Sequence, residues 1–304
     1  GVSAPALLLG RVSALRRAGQ LHQPTPESRQ DLQKATVMAV RAVPWAAAIL
    51  GLSAPIMHIE PDREGGYEHV PAVPPLTVLG RRVLSGRSQL ELAFCAGRHL
   101  AFYRPEHYVR TLWSAVPDLE DLFLAALAIG NVKLPIAEDL RRRVAPIAAA
   151  LEPMLDLPQV DALRELYLRF VEEGGRTNLM RWCAAVDKTA CRAGLLLAGD
   201  LATALAVLEP EEGKGGPLVK DLLVFSVSDR YAALRRELGI ALFLACVGLK
   251  SGERFFRILL SAQGLTTMLL GAVVTLVPLL AVAFWARWRR KLNYVSLCGL
   301  LAGS

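Results

Sequence analysis

Residues Gly264 to Ala286 read GLTTMLLGAVVTLVPLLAVAFWA, twenty-three residues without one charge. A helix needs about 20 predominantly apolar residues to cross the hydrocarbon core of a bilayer. Arg287, Arg289, Arg290 and Lys291 follow at once. A basic cluster abutting an apolar span marks a cytoplasmic end. Nothing upstream of about residue 234 has this character. The chain therefore reads as a soluble domain joined to part of an integral membrane one.

At 304 residues there is room for about two domains. The chain opens on Gly1 and stops at Ser304 in mid-pattern, which reads as a fragment. Residues 237–304 hold seven Lys/Arg and two Asp/Glu, so most of the net charge of +7 surrounds the apolar segments. Membrane topology explains that distribution better than nucleic acid does. Six Tyr and nine Phe, without basic-aromatic interleaving, speak against nucleic-acid binding as well. Cys95, Cys183, Cys191, Cys246 and Cys298 form no CxxC pair, which fits a reducing compartment. The opening APALLLGRVSALRRAG has its apolar patch before its arginines, the wrong order for a secretory signal.

Along the chain, residues 1–30 read as a linker or frayed segment. Residues 31–50 carry a helical apolar pattern broken by Pro44. The runs IMHIEP and PLTVLG (75–80) are of strand type, and 61–75, with Gly65, Gly66 and four prolines, reads as a loop. Ser88 with Glu91 three residues on predicts a capped helix over about 89–103. The pattern is helical almost throughout 106–208, with breaks at Pro117, Pro135, Pro146, Pro153, Pro158 and Gly174-Gly175. EPEEGKGGP (209–217) reads as a mobile loop, and the next stretch as an amphipathic helix or pair.

Three stretches between about Leu32 and Leu208 carry a resemblance: PLTVLGRRVLSGRSQLELAF, FCAGRHLA and AVDKTACRAGLLLAGDL. Together they resemble the gluzincin metallopeptidases of the CAAX prenyl protease class. That family has an HExxH helix whose two His, at i and i+4, share a zinc while the Glu acts as general base on zinc-bound water. Here Gly97 and Ala101 fall on the two ligand positions and Arg98 on that of the base. Asp187 falls on the third ligand and Cys191 on the Asp four residues later. The resemblance implies a fold kept and a zinc site lost, hence no metal, no cofactor and no catalysis.

Other candidate ligands have plainer readings. His99 and His107 sit eight apart, ~12 Å along a helix, too far for one metal. With His58 and His69 they read as surface or capping residues. Cys183 and Cys191 read as small buried hydrophobes. Arg141-Arg142-Arg143 reads as a solvated helix face, and YRPEHYVR (103–110) as a break whose charges hold an inter-helix joint. GKGG at 213–216 lacks the spacing of a phosphate loop.

LGIALFLACVGLKSG (238–252), VVTLVPLL (273–280) and KLNYVSLCGLLAGS (291–304) resemble the start of a transport repeat in the aspartate:alanine exchanger family of permeases. The resemblance implies about half of one repeat, where the family has two. If the domain before it is cytoplasmic, a first helix leaves and a second returns, placing RWRRK inside. Pro278 is tolerable in a span whose neighbours satisfy the freed carbonyl. Gly299, Ala302, Gly303 and Ser304 suit close helix contact or a substrate-lining turn; ordinary helix packing is the plainer reading.

The expected fold class is mainly α: a soluble α+β domain (31–232), with a small sheet plus helices, followed by two to three transmembrane helices (237–304). The expected function is a non-catalytic, membrane-associated protein in which a pseudo-peptidase module precedes a truncated permease-like segment. The alternatives are a fragment of an amino-acid or organic-anion antiporter, and an enzyme with unorthodox zinc ligands. The expected location is the cell inner membrane, multi-pass, with the soluble domain cytoplasmic. The expected partners are the lipid bilayer, a protein docking on the soluble domain, and further copies of the chain; nucleic acid is not expected.

Overall fold

The computed structural model describes residues 20–131, 134 and 136–259, with isolated positions outside these stretches. The chain divides into two units, 1–235 and 236–304. Among the described residues the first unit holds one three-stranded sheet and a helical majority, the small-sheet-plus-helices class expected from the sequence.

Helix α1 (Met38–Leu50) leads into β1 (Ile56–Ile59), β2 (Tyr67–Val70) and β3 (Leu76–Leu79). The strand order is β1-β3-β2, with β3 parallel to β1 and antiparallel to β2. β2 falls in the stretch read as a loop. Its four residues, YEHV, sit beside the turn-forming Gly65-Gly66, and the adjacent β3 supplies hydrogen bonds that the sequence pattern does not announce. Pro44 does not break α1. The helix runs on because Val40, Val43, Ala46 and Ala47 around it are buried in the core, and that packing offsets the backbone hydrogen bond lost at proline.

A short turn of helix, α2 (Arg81–Leu84), precedes α3 (Gln89–Ala101). The predicted capping box is present. Ser88 Oγ accepts from Glu91 N–H at 3.2 Å, and the Glu91 carboxylate accepts from Ser88 N–H at 2.8 Å. Then come α4 (Pro105–Leu112), α5 (Val116–Gly130), α6 (Glu138–Leu151), α7 (Leu157–Glu172), α8 (Leu179–Ala198), α9 (Leu201–Glu212) and α10 (Pro217–Ser226). Pro105, Pro117, Pro158 and Pro217 all sit in first turns, where a missing N–H costs nothing. Pro146 lies inside α6, so that expected break is absent, and Pro210 lies inside α9, which runs to Glu212 through the start of the stretch read as a mobile loop.

Three apolar cores support this unit. One joins α1, the sheet and α3 through residues such as Val43, Met57, Leu79 and Leu100. A second lies among α4 to α7, around Leu122, Ala125, Val144 and Leu163. The third joins α3, α8, α9 and α10 through Phe94, Leu195, Leu208 and Leu222. The backbones of α3 and α8 touch: a Cβ on Gly97 would stand 3.0 Å from Gly194 Cα, and one on Gly194 would stand 2.6 Å from the Phe94 carbonyl oxygen.

The last helix, α11 (Asp229–Leu259), contains the apolar run expected to span. Among the described residues no helix is long and apolar enough to cross a membrane. The reason is visible in α11. Its uncharged run, Leu238 to Leu249, is twelve residues long, and Lys250 follows it. Ile240, Phe243 and Leu244 on it are each more than half exposed. The uncharged stretch 264–286 lies mostly outside the described residues, so the transmembrane expectation for it meets no structural test.

Candidate functional site

The positions that resemble a zinc motif lie on facing parts of α3 and α8, and packing has taken them over. Gly97 is the contact point with Gly194. Ala101 and Cys191 are buried in the core, at 4% and 1% exposure. Arg98 Nη1 donates to Glu211 Oε2 at 2.6 Å, tying α3 to α9. Asp187 faces Arg110 of α4 at 3.7 Å, the inter-helix joint anticipated for that segment. Burial pushes the Cys191 thiol up to about 11, which keeps it protonated at neutral pH. Among the described residues no three His, Cys, Asp or Glu side chains converge where a metal would sit.

Beside these positions is a polar cluster that sequence reasoning did not assemble. His69 pairs with Thr77 across β2 and β3, and α3 lays His99 against both. The two imidazoles stack with centroids 3.8 Å apart and planes 25° off parallel. Far from being a surface residue, His99 is 5% exposed; His58 is 7% exposed and also belongs to the interior.

The hydrogen bonds around Thr77 assign a single proton arrangement. Tyr103 Oη donates to the Leu76 carbonyl at 3.0 Å. The Thr77 hydroxyl then donates to Tyr103 Oη at 2.7 Å and accepts from His99 Nε2–H at 2.9 Å. His69 Nε2–H donates to the His99 carbonyl at 3.1 Å, satisfying an acceptor in the last turn of α3. Both rings are thus held neutral. Burial lowers His69 to about 4, and burial together with the neighbouring His69 lowers His99 well below its ordinary value.

This arrangement is closed chemistry. The Thr77 hydroxyl is fully buried and committed at both ends, so no substrate reaches it. Only the outer edge of His69 meets solvent, at an open cleft of 380 Å³ shared with Glu68, Arg110 and Asp187. The cluster joins strand to helix through these hydrogen bonds and the ring stack. The chain spacing that would reveal it, His69 to Thr77 to His99, follows no local period and becomes visible only once β2 pairs with β3.

The second group of expected site residues, Gly299, Ala302, Gly303 and Ser304, lies outside the described residues. So do Arg287, Arg289, Arg290 and Lys291.

Comparison with known proteins supplies what the geometry of these residues cannot. Residues 214–304 match the family described as "Predicted Permease Membrane Region". A protein of Actinobacillus pleuropneumoniae serotype 5b named "Putative transport protein" is 45% identical over 100 residues, which is 30% of this chain and 18% of that protein. A similarly named protein of Dichelobacter nodosus is 42% identical over 100 residues, with the same coverage. One from Photobacterium profundum is 58% identical over 69 residues, 23% of this chain and 12% of its own length. The chain therefore spans less than a fifth of the length of these relatives. No solved structure matches it. The C-terminal region is permease-like, whereas the peptidase resemblance of about 32–208 finds no support in any of these comparisons.

The family match begins before the boundary at about 237 expected from the sequence. Its first part, 214–235, holds α10 and the start of α11, whose Leu222, Phe225, Tyr231 and Leu234 pack in the core with Phe94 and Leu195. Arg192 of α8 locks α10 in place through paired 2.8 Å hydrogen bonds to Asp221.

Proposed function

We propose that this chain is a membrane-associated, transporter-related protein. Its residues 236–304 insert in the cell inner membrane, and its N-terminal unit is a non-catalytic cytoplasmic module. The observation that carries the reading is the permease-region match over 214–304. The chemistry of the same stretch supports it. Ile240, Phe243 and Leu244 are exposed apolar side chains on one helix, a surface costly to leave in water. The basic cluster at 287–291 supports a cytoplasmic far end for the apolar stretch.

Alkaline carbonate extraction of source-cell membranes, blotted with an antibody against residues 31–232, tests this. The expected result is antigen in the membrane pellet at or above 33 kDa, the mass of this chain. A smaller antigen in the supernatant would refute insertion.

The resemblance of 238–304 to the aspartate:alanine exchanger permeases favours a second, narrower reading: a piece of an amino-acid or organic-anion antiporter. A chain covering 18% of such a relative holds too few helices for alternating access between paired repeats. Proteoliposomes holding this chain alone should therefore show no aspartate–alanine counterflow above empty vesicles. Counterflow would establish the antiporter reading.

The absence of catalysis rests on the occupants of the motif positions. Gly97 and Ala101 offer zinc no donor at the paired ligand positions, Asp187 at the third faces Arg110, and the Arg98 cation stands where the base would be. Purified chain should hold well under one zinc per molecule by elemental analysis. Stoichiometric zinc that survives dialysis would overturn this.

A further inference from the structure

The helical layer formed by α4, α5 and α7 is not filled. An apolar cavity of 660 Å³ lies there, floored by the buried Leu119, Leu122 and Leu163 and walled by Phe123, Phe170 and Trp182. The cleft is open to solvent along one side, where exposed Leu166 and Arg169 border it. Its volume falls in the range of small-molecule sites, about 300–1,000 Å³. Apolar walls of this kind leave water poorly bound and favour an apolar guest.

Polar groups border the cleft at Glu106, Arg169, Glu173 and Thr177. Thr177 and Trp182 also line a second cleft, of 560 Å³, whose other walls are Arg176, Asn178, Arg181 and Ala185. Among the described residues no carboxylate lines that second cleft. Glu173 borders the apolar cavity but accepts from Arg169 Nε at 2.9 Å, and Glu106 lies at the α4 side. An apolar chamber thus opens onto a cleft carrying two arginines, an amide and a hydroxyl.

We propose that α4, α5, α7 and the start of α8 form a binding site for a single-chain fatty carboxylate. Its tail occupies the cavity beneath Trp182, and its head group meets Arg176 and Arg181. Both arginines are exposed when the site is empty, so their N–H groups are free to turn onto a carboxylate. One chamber with one charged mouth selects one chain over the two of a bilayer phospholipid. The site lies wholly within 105–185 and does not depend on the permease reading.

The test uses full-length chain in source-cell membranes, exposed to a diazirine-bearing palmitic acid, irradiated, and mapped by peptide mass spectrometry. Adducts are expected in 119–127 and 163–182. Palmitate should compete them away at micromolar concentration, and hexadecyltrimethylammonium should not. Leu122→Trp, which fills the chamber, should cut labelling at least about fivefold. Arg176→Glu with Arg181→Glu should cut it about tenfold, a loss of about 1.4 kcal/mol, with an unchanged thermal midpoint. If Leu122→Trp lowers the midpoint, the arginine pair alone decides. Adducts confined to 236–304 would show ordinary bilayer contact and overturn the proposal. Equal competition by the cation, or full labelling of the arginine double variant, would overturn it too.

Discussion

Gly194→Val is expected to lower the thermal midpoint of the N-terminal unit by about 6–12 °C, the equivalent of about 3 kcal/mol or more. A Cβ at this position would meet the Phe94 carbonyl oxygen at 2.6 Å and the Phe94 ring at 2.9 Å. The first of these is backbone of a neighbouring helix, so no rotamer change relieves it. α3 would have to move away from α8, opening both the core around Leu100 and the core around Leu195. Gly97→Ala is expected to cost less, because its closest contacts stand at 3.0 and 3.1 Å. Gly215→Ala is the control: its Cβ would meet nothing within 4 Å, and the midpoint should stay within the small range of ordinary surface changes. Differential scanning fluorimetry of the three variants in full-length chain checks the ranking. An unshifted Gly194→Val midpoint would mean that the α3–α8 crossing is not as close as described.

Acid should destabilise the same unit well before its carboxylates titrate. In the folded chain His69 is lowered to about 4 by burial, and His99 is lowered further by burial and by His69 beside it. In the unfolded chain both return to about 6.5. The unfolded state therefore binds more protons below pH 6.5, and folding stability falls as pH drops through that value. The contribution is fully present above 6.5. His69 loses its share over the window down to about 4, and His99 loses its share in the same direction. At pH 5 His69 should cost about 2 kcal/mol relative to pH 7, and His99 adds to that loss. His58, lowered by burial, adds in the same direction.

The surroundings do not rescue a protonated ring. Thr77 and Tyr103 present hydroxyls already committed to each other and to the Leu76 carbonyl. Across the cleft Glu68 and Asp187 are balanced by Arg63 and Arg110. Thermal midpoints of the full chain at pH 7 and pH 5 measure the loss. His99→Gln, whose amide can still donate to Thr77, should lower stability at pH 7 yet shrink the difference between the two pH values by roughly half. An identical pH difference in the variant and the parent chain would exclude the histidine pair as its source.

Much of the local structure was legible from short-range chemistry. Ser88 and Glu91 announced the start of α3 because a capping box is a contact between residues three apart. IMHI and LTVL declared themselves as strands by their β-branched and apolar content. The permease likeness of the C-terminal region came from its resemblance to a known family, beside apolar runs and flanking charge that need no tertiary partner to be read. Failures came where distant residues decided. YEHV has no strand signal strong enough to stand against two adjacent glycines and four nearby prolines, and it becomes a strand only because β3 is beside it. Pro44, Pro146 and Pro210 stay within helices because packing along those helices offsets a missing hydrogen bond.

The candidate sites divide along the same line. Sequence alone determined which residue types stand at the zinc-like positions, and therefore that Gly97 and Ala101 bring no donor to them. Tertiary structure alone decided what those residues do instead. Gly97 lets two helices touch, Arg98 reaches α9, and His99, one residue from the lost motif, turns inward to meet His69 and Thr77. The apolar cleft lined by Trp182 is likewise invisible in the sequence, because a cleft is a property of how helices meet. Charge, capping and hydrophobic length act over a few residues and can be read from the chain. Burial, stacking and empty volume depend on which segments the fold brings together.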